Sequence, residues 1–175
     1  FTLKQTPSTE YFSNRYMVND IPVPFHKEAE MKIKLHTDTL SNKSQYSIVA
    51  ITGNKERWIG GNYSNGYMVT NIREAGEEYA VSADKKAPVI TPVRKEKWEK
   101  LSKIELKVTD DKSGVYSCKE YIDGNFALFE NDVKSPVYTY HFDTDRLKKG
   151  GNHQLVFVAK DACGNTSEYT TEFYY

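Results

Sequence analysis

Apolar and polar residues alternate with a period of two along much of this chain. Met31, Ile33 and Leu35 alternate with Lys32, Lys34 and His36, and Ile104, Leu106 and Val108 alternate with Lys103, Glu105 and Lys107. Tyr79, Val81 and Ala83 point one way, and Glu78, Ala80, Ser82 and Asp84 the other. Such a period lines one face of a strand with core residues. Residues 46–51 form a fuller apolar run and are expected as a central strand. Strands are also expected at 16–18, 57–63 and 67–72 in the first half. In the second half they are expected at 89–91, 116–122, 126–130, 137–142, 153–160 and 166–174. Asn65-Gly66 and Asp123-Gly124 carry the chemistry of tight hairpin turns. Ile21-Pro22-Val23-Pro24-Phe25 must be extended, because each proline restricts its predecessor. Only residues 95–100, with Trp98 as a lid on the core, and 143–149, ending at Gly150, read as short helical turns. Residues 1–14 give no periodic signal. They are expected as a frayed end or as a leading edge strand that completes a first half otherwise one strand short.

The strand at 78–84 is followed by two lysines and Ala87-Pro88, and then Val89 starts a new strand. Proline cannot donate to a central ladder, and its predecessor is held extended. This joint divides the chain into residues 1–86 and 87–175, each of immunoglobulin size. Seven strands at this spacing in the second half, with turn signals between them, predict an antiparallel sandwich. The expected fold class is all-β, with two tandem immunoglobulin-like antiparallel β-sandwiches.

Composition narrows the function. The 175 residues carry 24 Lys and Arg against 24 Asp and Glu. A balanced charge gives no field to draw in nucleic acid or an anionic membrane. Tyrosine, with 13 copies, dominates the aromatic residues and suits half-buried strands. No apolar run approaches the roughly 20 residues of a membrane-spanning helix. The chain opens on Phe1 with no signal peptide, so it is expected to be a piece of a longer protein or a processed form. Two cysteines are too few for a disulfide framework or a cysteine zinc site.

The segment Thr109-Asp110-Asp111-Lys112-Ser113-Gly114-Val115 carries a family resemblance. So do Tyr121-Ile122-Asp123-Gly124-Asn125-Phe126, residues 142–149, and Val158-Ala159-Lys160-Asp161-Ala162-Cys163-Gly164-Asn165. Together they resemble the carboxy-terminal immunoglobulin-like region behind lysostaphin-type zinc peptidases of some Gram-negative envelope proteins. Residues 76–92 look like the approach to that module, and the resemblance covers about the last hundred residues. It implies export to the periplasm or cell surface, an upstream peptidase domain in the same polypeptide, and contact with the cell wall or an envelope protein. Peptidases of that type hold zinc through a His, an Asp and a further His and use another His in catalysis, the two later histidines forming a His-x-His pair. His26, His36, His141 and His153 form no such pair. No catalytic or zinc residue transfers to this chain, and no cofactor is expected. The expected function is a non-catalytic accessory region that positions or anchors a peptidase domain. The alternative is an independent carbohydrate-binding or adhesive module.

Three further sets of residues carry chemistry. Asp110, Asp111 and Asp161 are expected at one end of the second sandwich, where clustered oxygens bind calcium. The competing reading is that Asp110 and Asp161 hold their own turns. Trp58, Tyr138 and Tyr140, with Tyr63 and Tyr67, are candidates for stacking on a glycan; cross-strand packing is the more frequent use of such residues. Ser113, Ser135 and Ser167 have no recognisable His and Asp partners, so nucleophilic catalysis is not expected. In an oxidising compartment Cys118 and Cys163, on neighbouring C and F–G segments, are candidates for a disulfide.

Overall fold

The computed structural model describes residues 2–175, so Phe1 lies outside the described residues. It divides into two compact units, Phe1–Lys85 and Lys86–Tyr175, one residue ahead of the joint expected from the sequence. Both are built from antiparallel sheets, and the molecule is all-β.

In the first unit the strands are β1 (Leu3–Thr6), β2 (Arg15–Val18), β3 (Val23–Lys34), β4 (Tyr46–Thr52), β5 (Lys55–Gly60), β6 (Asn62–Ser64), β7 (Tyr67–Ala75) and β8 (Glu78–Ala83). One sheet has the order β1-β2-β8-β4-β5 and the other β3-β7-β6. Ile33, Leu35, Ile48, Met68, Tyr79 and Val81 are buried together as the core. The amino-terminal segment supplies the edge strand β1, which pairs with β2. Its continuation covers the other side of the first sheet, where Tyr11 packs with Val49, Ile51 and Ala80. Phe12 N–H donates to Val81 O at 2.9 Å, and Ser13 Oγ accepts from Val81 N–H at 2.8 Å. A strand apolar on both sides, as β4 is, needs such a cover. The expected strand at 57–63 is split, because Gly60 and Gly61 carry φ of 97° and 129° and pass the chain from one sheet to the other. A Cβ at Gly61 would lie 2.9 Å from Val69 O.

In the second unit the elements are β9 (Val89–Pro92), a 3-10 turn (Lys95–Lys97) running into α1 (Trp98–Leu101), β10 (Lys103–Thr109), β11 (Val115–Ile122), β12 (Asn125–Phe126), β13 (Glu130–Asn131), β14 (Val137–His141), β15 (Asn152–Asp161) and β16 (Thr166–Tyr174). The sheets run β13-β14-β10-β9 and β12-β11-β15-β16. In immunoglobulin terms these are D-E-B-A and C′-C-F-G. Ile104, Leu106, Val108, Leu155 and Phe157 centre the core, and Trp98 closes it with its Nε1–H on Val93 O at 2.9 Å. Asp123 and Gly124 take φ of 52° and 76°, as a tight hairpin turn requires.

One expectation is corrected here. Residues 126–130 are not one strand. Phe126 ends β12 in one sheet and Glu130 begins β13 in the other, while Ala127 and Phe129 turn into the core between them. Residues 143–149 hold the expected single helical turn. Asp145 N–H binds Asp143 Oδ1 at 2.9 Å and Leu147 N–H binds Asp143 O at 2.8 Å, which drops the buried Leu147 into the core.

Candidate functional site

The loop between β10 and β11 and the turn between β15 and β16 share one end of the second unit. Oxygens of Asp110 and Asp161 come within 4.8 Å of each other there. Asp110 Oδ2 accepts from the N–H of Lys112 at 3.1 Å and of Gly114 at 2.7 Å. Asp161 is fully buried. Its Oδ1 accepts from the N–H of Cys163 at 2.9 Å and of Asn165 at 2.8 Å, and its Oδ2 from Asn165 Nδ2 at 2.7 Å. Asp110 Oδ1 is buried without a hydrogen bond among the described residues. Asp111 turns away and pairs with Lys86 at 2.8 Å, which holds its carboxyl below the usual range. The three aspartates expected to act together are therefore divided. Asp161 directs both oxygens at N–H donors, which is the chemistry of a self-held turn.

At the opposite end of β15, His153 is buried. Its Nδ1 lies 2.6 Å from Asp123 Oδ2 and its Nε2 2.9 Å from Lys148 O. Asp123 Oδ1 also accepts from Gln154 N–H at 2.8 Å. The hydrogen bond to Asp123 raises the His153 pKa against the opposing effect of burial. Burial works to raise that of Asp123, but the bonds from His153 and Gln154 lower it overall. The other histidines sit apart: His26 on β3, His36 just after it and bonded to Ser8 O at 3.0 Å, and His141 at the end of β14.

The stacking candidates are drawn into packing. Tyr140 is buried with its ring 5.4 Å from that of Phe129, and Tyr138 meets Phe157 edge-on at 5.5 Å. Burial and a hydrogen bond with Cys118 push the Tyr138 hydroxyl up to about 12. Trp58 packs against the Tyr11 cluster. Tyr63 stacks on Tyr46 and donates to Asp38 Oδ2 at 2.6 Å, while Tyr67 is exposed. Trp58 also borders a cleft of about 260 Å³ in the first unit, lined by Arg57, Ile59, Asn71, Arg73, Glu74 and Tyr79 among others. Arg57 pairs with Glu77 at its rim. This mixed lining can hydrogen-bond a small polar ligand, and it was not legible in the sequence because it joins β5, β7 and β8.

Cys118 and Cys163 are not bonded to each other, so the expected bridge is not formed. Cys118 pairs in register with Ala159, and Cys163 lies at the tip of the turn beyond Asp161. The turn thus carries Cys163 four residues beyond the rung of Cys118. Burial pushes the Cys118 thiol up, partly offset by its hydrogen bond with Tyr138. Glu120, also facing the core, is held above the usual carboxylate range by burial.

Residues 1–84 match the model of the Zu5-like domain. The match ends beside the division between the units. It covers the half in which the sequence resemblance is faintest, whereas that resemblance rests on the second half. The matched half contains the Trp58 cleft; the second half contains the aspartate turns and the His153–Asp123 pair. No curated protein matches the chain.

Proposed function

We propose that this chain is a non-catalytic accessory region of an exported envelope protein. It positions or anchors a peptidoglycan peptidase domain, or meets the cell wall or a partner protein. The observation that carries this reading is how the acid–base side chains are employed. Buried His153 and the exposed turn residue Asp123 tie a hairpin turn to β15, and Asp110 and Asp161 tie turns to their own backbone. The family resemblance of the second half and the Zu5-like match of the first are consistent with accessory modules. Fold alone assigns no chemistry. The test is to incubate the chain with purified sacculi and zinc, and to follow both muropeptide release and co-sedimentation. Co-sedimentation without muropeptide release is expected. Muropeptide release, with one zinc per chain that is lost on changing a single histidine, would overturn the reading.

The cleft beside Trp58 favours one second reading, a carbohydrate-binding module. Glycan-array binding that is lost in Asn71→Ala would support it, since Asn71 is exposed and lines the cleft.

A further inference from the structure

The outward face of the β12-β11-β15-β16 sheet is more apolar than a solvated face needs to be. Along β15 the residues His153, Leu155, Phe157 and Ala159 face the core, so Gln154, Val156, Val158 and Lys160 face out. Register carries this across the sheet. Val156 stands beside Tyr121 on one side and Thr170 on the other, and Tyr121 stands beside Phe126. Val158 stands between Lys119 and Glu168. Ala127 N–H bonds Glu120 O at 3.0 Å, which carries the rim of the sheet on to Leu128. Phe126 is 57% exposed and Leu128 65%, and adjacent large apolar side chains this open mark an interaction surface.

We propose that this face pairs with the same face of a second copy of the chain. The charges select that occupant and its orientation. Lys119 and Glu168 lie on one rung, one strand to either side of Val158. A two-fold axis in front of the sheet and parallel to β15 lays β11 of each copy over β16 of the other. Lys119 then faces Glu168 twice, Val156 and Val158 meet their own copies, and Tyr121 covers Thr170. Phe126 and Leu128 reach past the partner's β16 edge. An axis across the strands would instead set Lys119 over Tyr121 and Glu168 over Thr170, and pair no charges. Face-to-face sheets pack about 10 Å apart with strands roughly aligned, which the first arrangement satisfies. Such a contact is isologous and closes as a dimer. Four strands at about 4.8 Å spacing, with β15 of 10 residues at about 3.3 Å each, make a face of roughly 19 by 33 Å, about 600 Å². That is small against the ~800 Å² per partner of a standard interface, and Lys160 meets its own copy at one end, so the dimer is weak.

The proposal stands independently of the accessory role. Its test is sedimentation equilibrium of the whole chain up to about 1 mM, the range where small interfaces associate. The wild type should associate reversibly. Lys119→Glu and Glu168→Lys, both at exposed positions, should each lower the association constant about tenfold, and the double exchange should restore it to within about threefold. Unchanged melting temperatures establish that the variants are folded. A wild type that stays monomeric throughout would overturn the proposal, and so would single exchanges that leave association intact or a double exchange that does not recover it.

Discussion

His153 and Asp123 show how one pair of side chains ties pH to stability. The His153 pKa is raised in the folded chain by its bond to Asp123, against burial. Its contribution is therefore fully present below the unfolded value of about 6.5 and is lost as pH rises through the higher folded value. Asp123 is lowered despite burial, so its contribution is present above an unfolded value of about 3.9 and is lost as pH falls through the folded one. The pair stabilises the second unit most between roughly pH 4 and 6.5. Melting temperature measured against pH should fall on both sides of that window. In His153→Gln the decline on the alkaline side should disappear. A wild-type profile that is flat from pH 5 to 8 would remove this role. Asp123 also occupies a positive-φ turn position, where aspartate is tolerated, so geometry and charge meet in one residue.

At the scale of elements, close approach of backbones decides which residues the turns accept. The turn from β7 into β8 runs through Gly76, whose N–H donates to Val18 O at 2.8 Å. Its φ is 107°, and a Cβ there would lie 2.5 Å from Ile21 C and O and from Pro22 Cα. The contacts are backbone, so no rotamer change relieves them. Gly76→Ala should cost roughly 3 kcal/mol or more, combining positive-φ strain with a steric clash. Gly60→Ala is the control. Its φ is 97° but nothing lies within 4 Å of the added Cβ, so only the strain of about 1–2 kcal/mol should remain. Denaturant midpoints of the two variants measure the difference, and equal costs would show that Ile21 and Pro22 yield freely.

For the whole molecule, the two cores decide what folds by itself. Every residue of the second core, from Trp98 to Tyr175, belongs to the unit Lys86–Tyr175. A fragment of residues 86–175 should therefore melt in one cooperative transition and keep its near-ultraviolet aromatic signal. A molten fragment without that signal would show that its core is incomplete.

Much of this was legible in local pattern. Alternation at residues 31–35, 78–84 and 103–109 marked strands and their buried faces, because side chains on a strand change side at every residue. Asp123-Gly124 and Asn65-Gly66 marked hairpins, because few residues accept positive φ at both turn positions. The Ala87-Pro88 step marked the joint, because a proline interrupts ladder pairing. Other features depended on partners far along the chain. Residues 126–130 look like a strand in isolation, yet Ala127 and Phe129 gain more by crossing into the core. Tyr138 and Tyr140 look like a stacking face until neighbouring strands pack against them. Asp110, Asp111 and Asp161 share a region, but the partner of each is set by loop geometry that no local pattern encodes. The sequence by itself determined the periodicity, the turns and the joint, since these rest on each residue's own stereochemistry. Tertiary structure decided which apolar faces stay open and which titratable groups meet, since those follow from sheet order and register between distant strands.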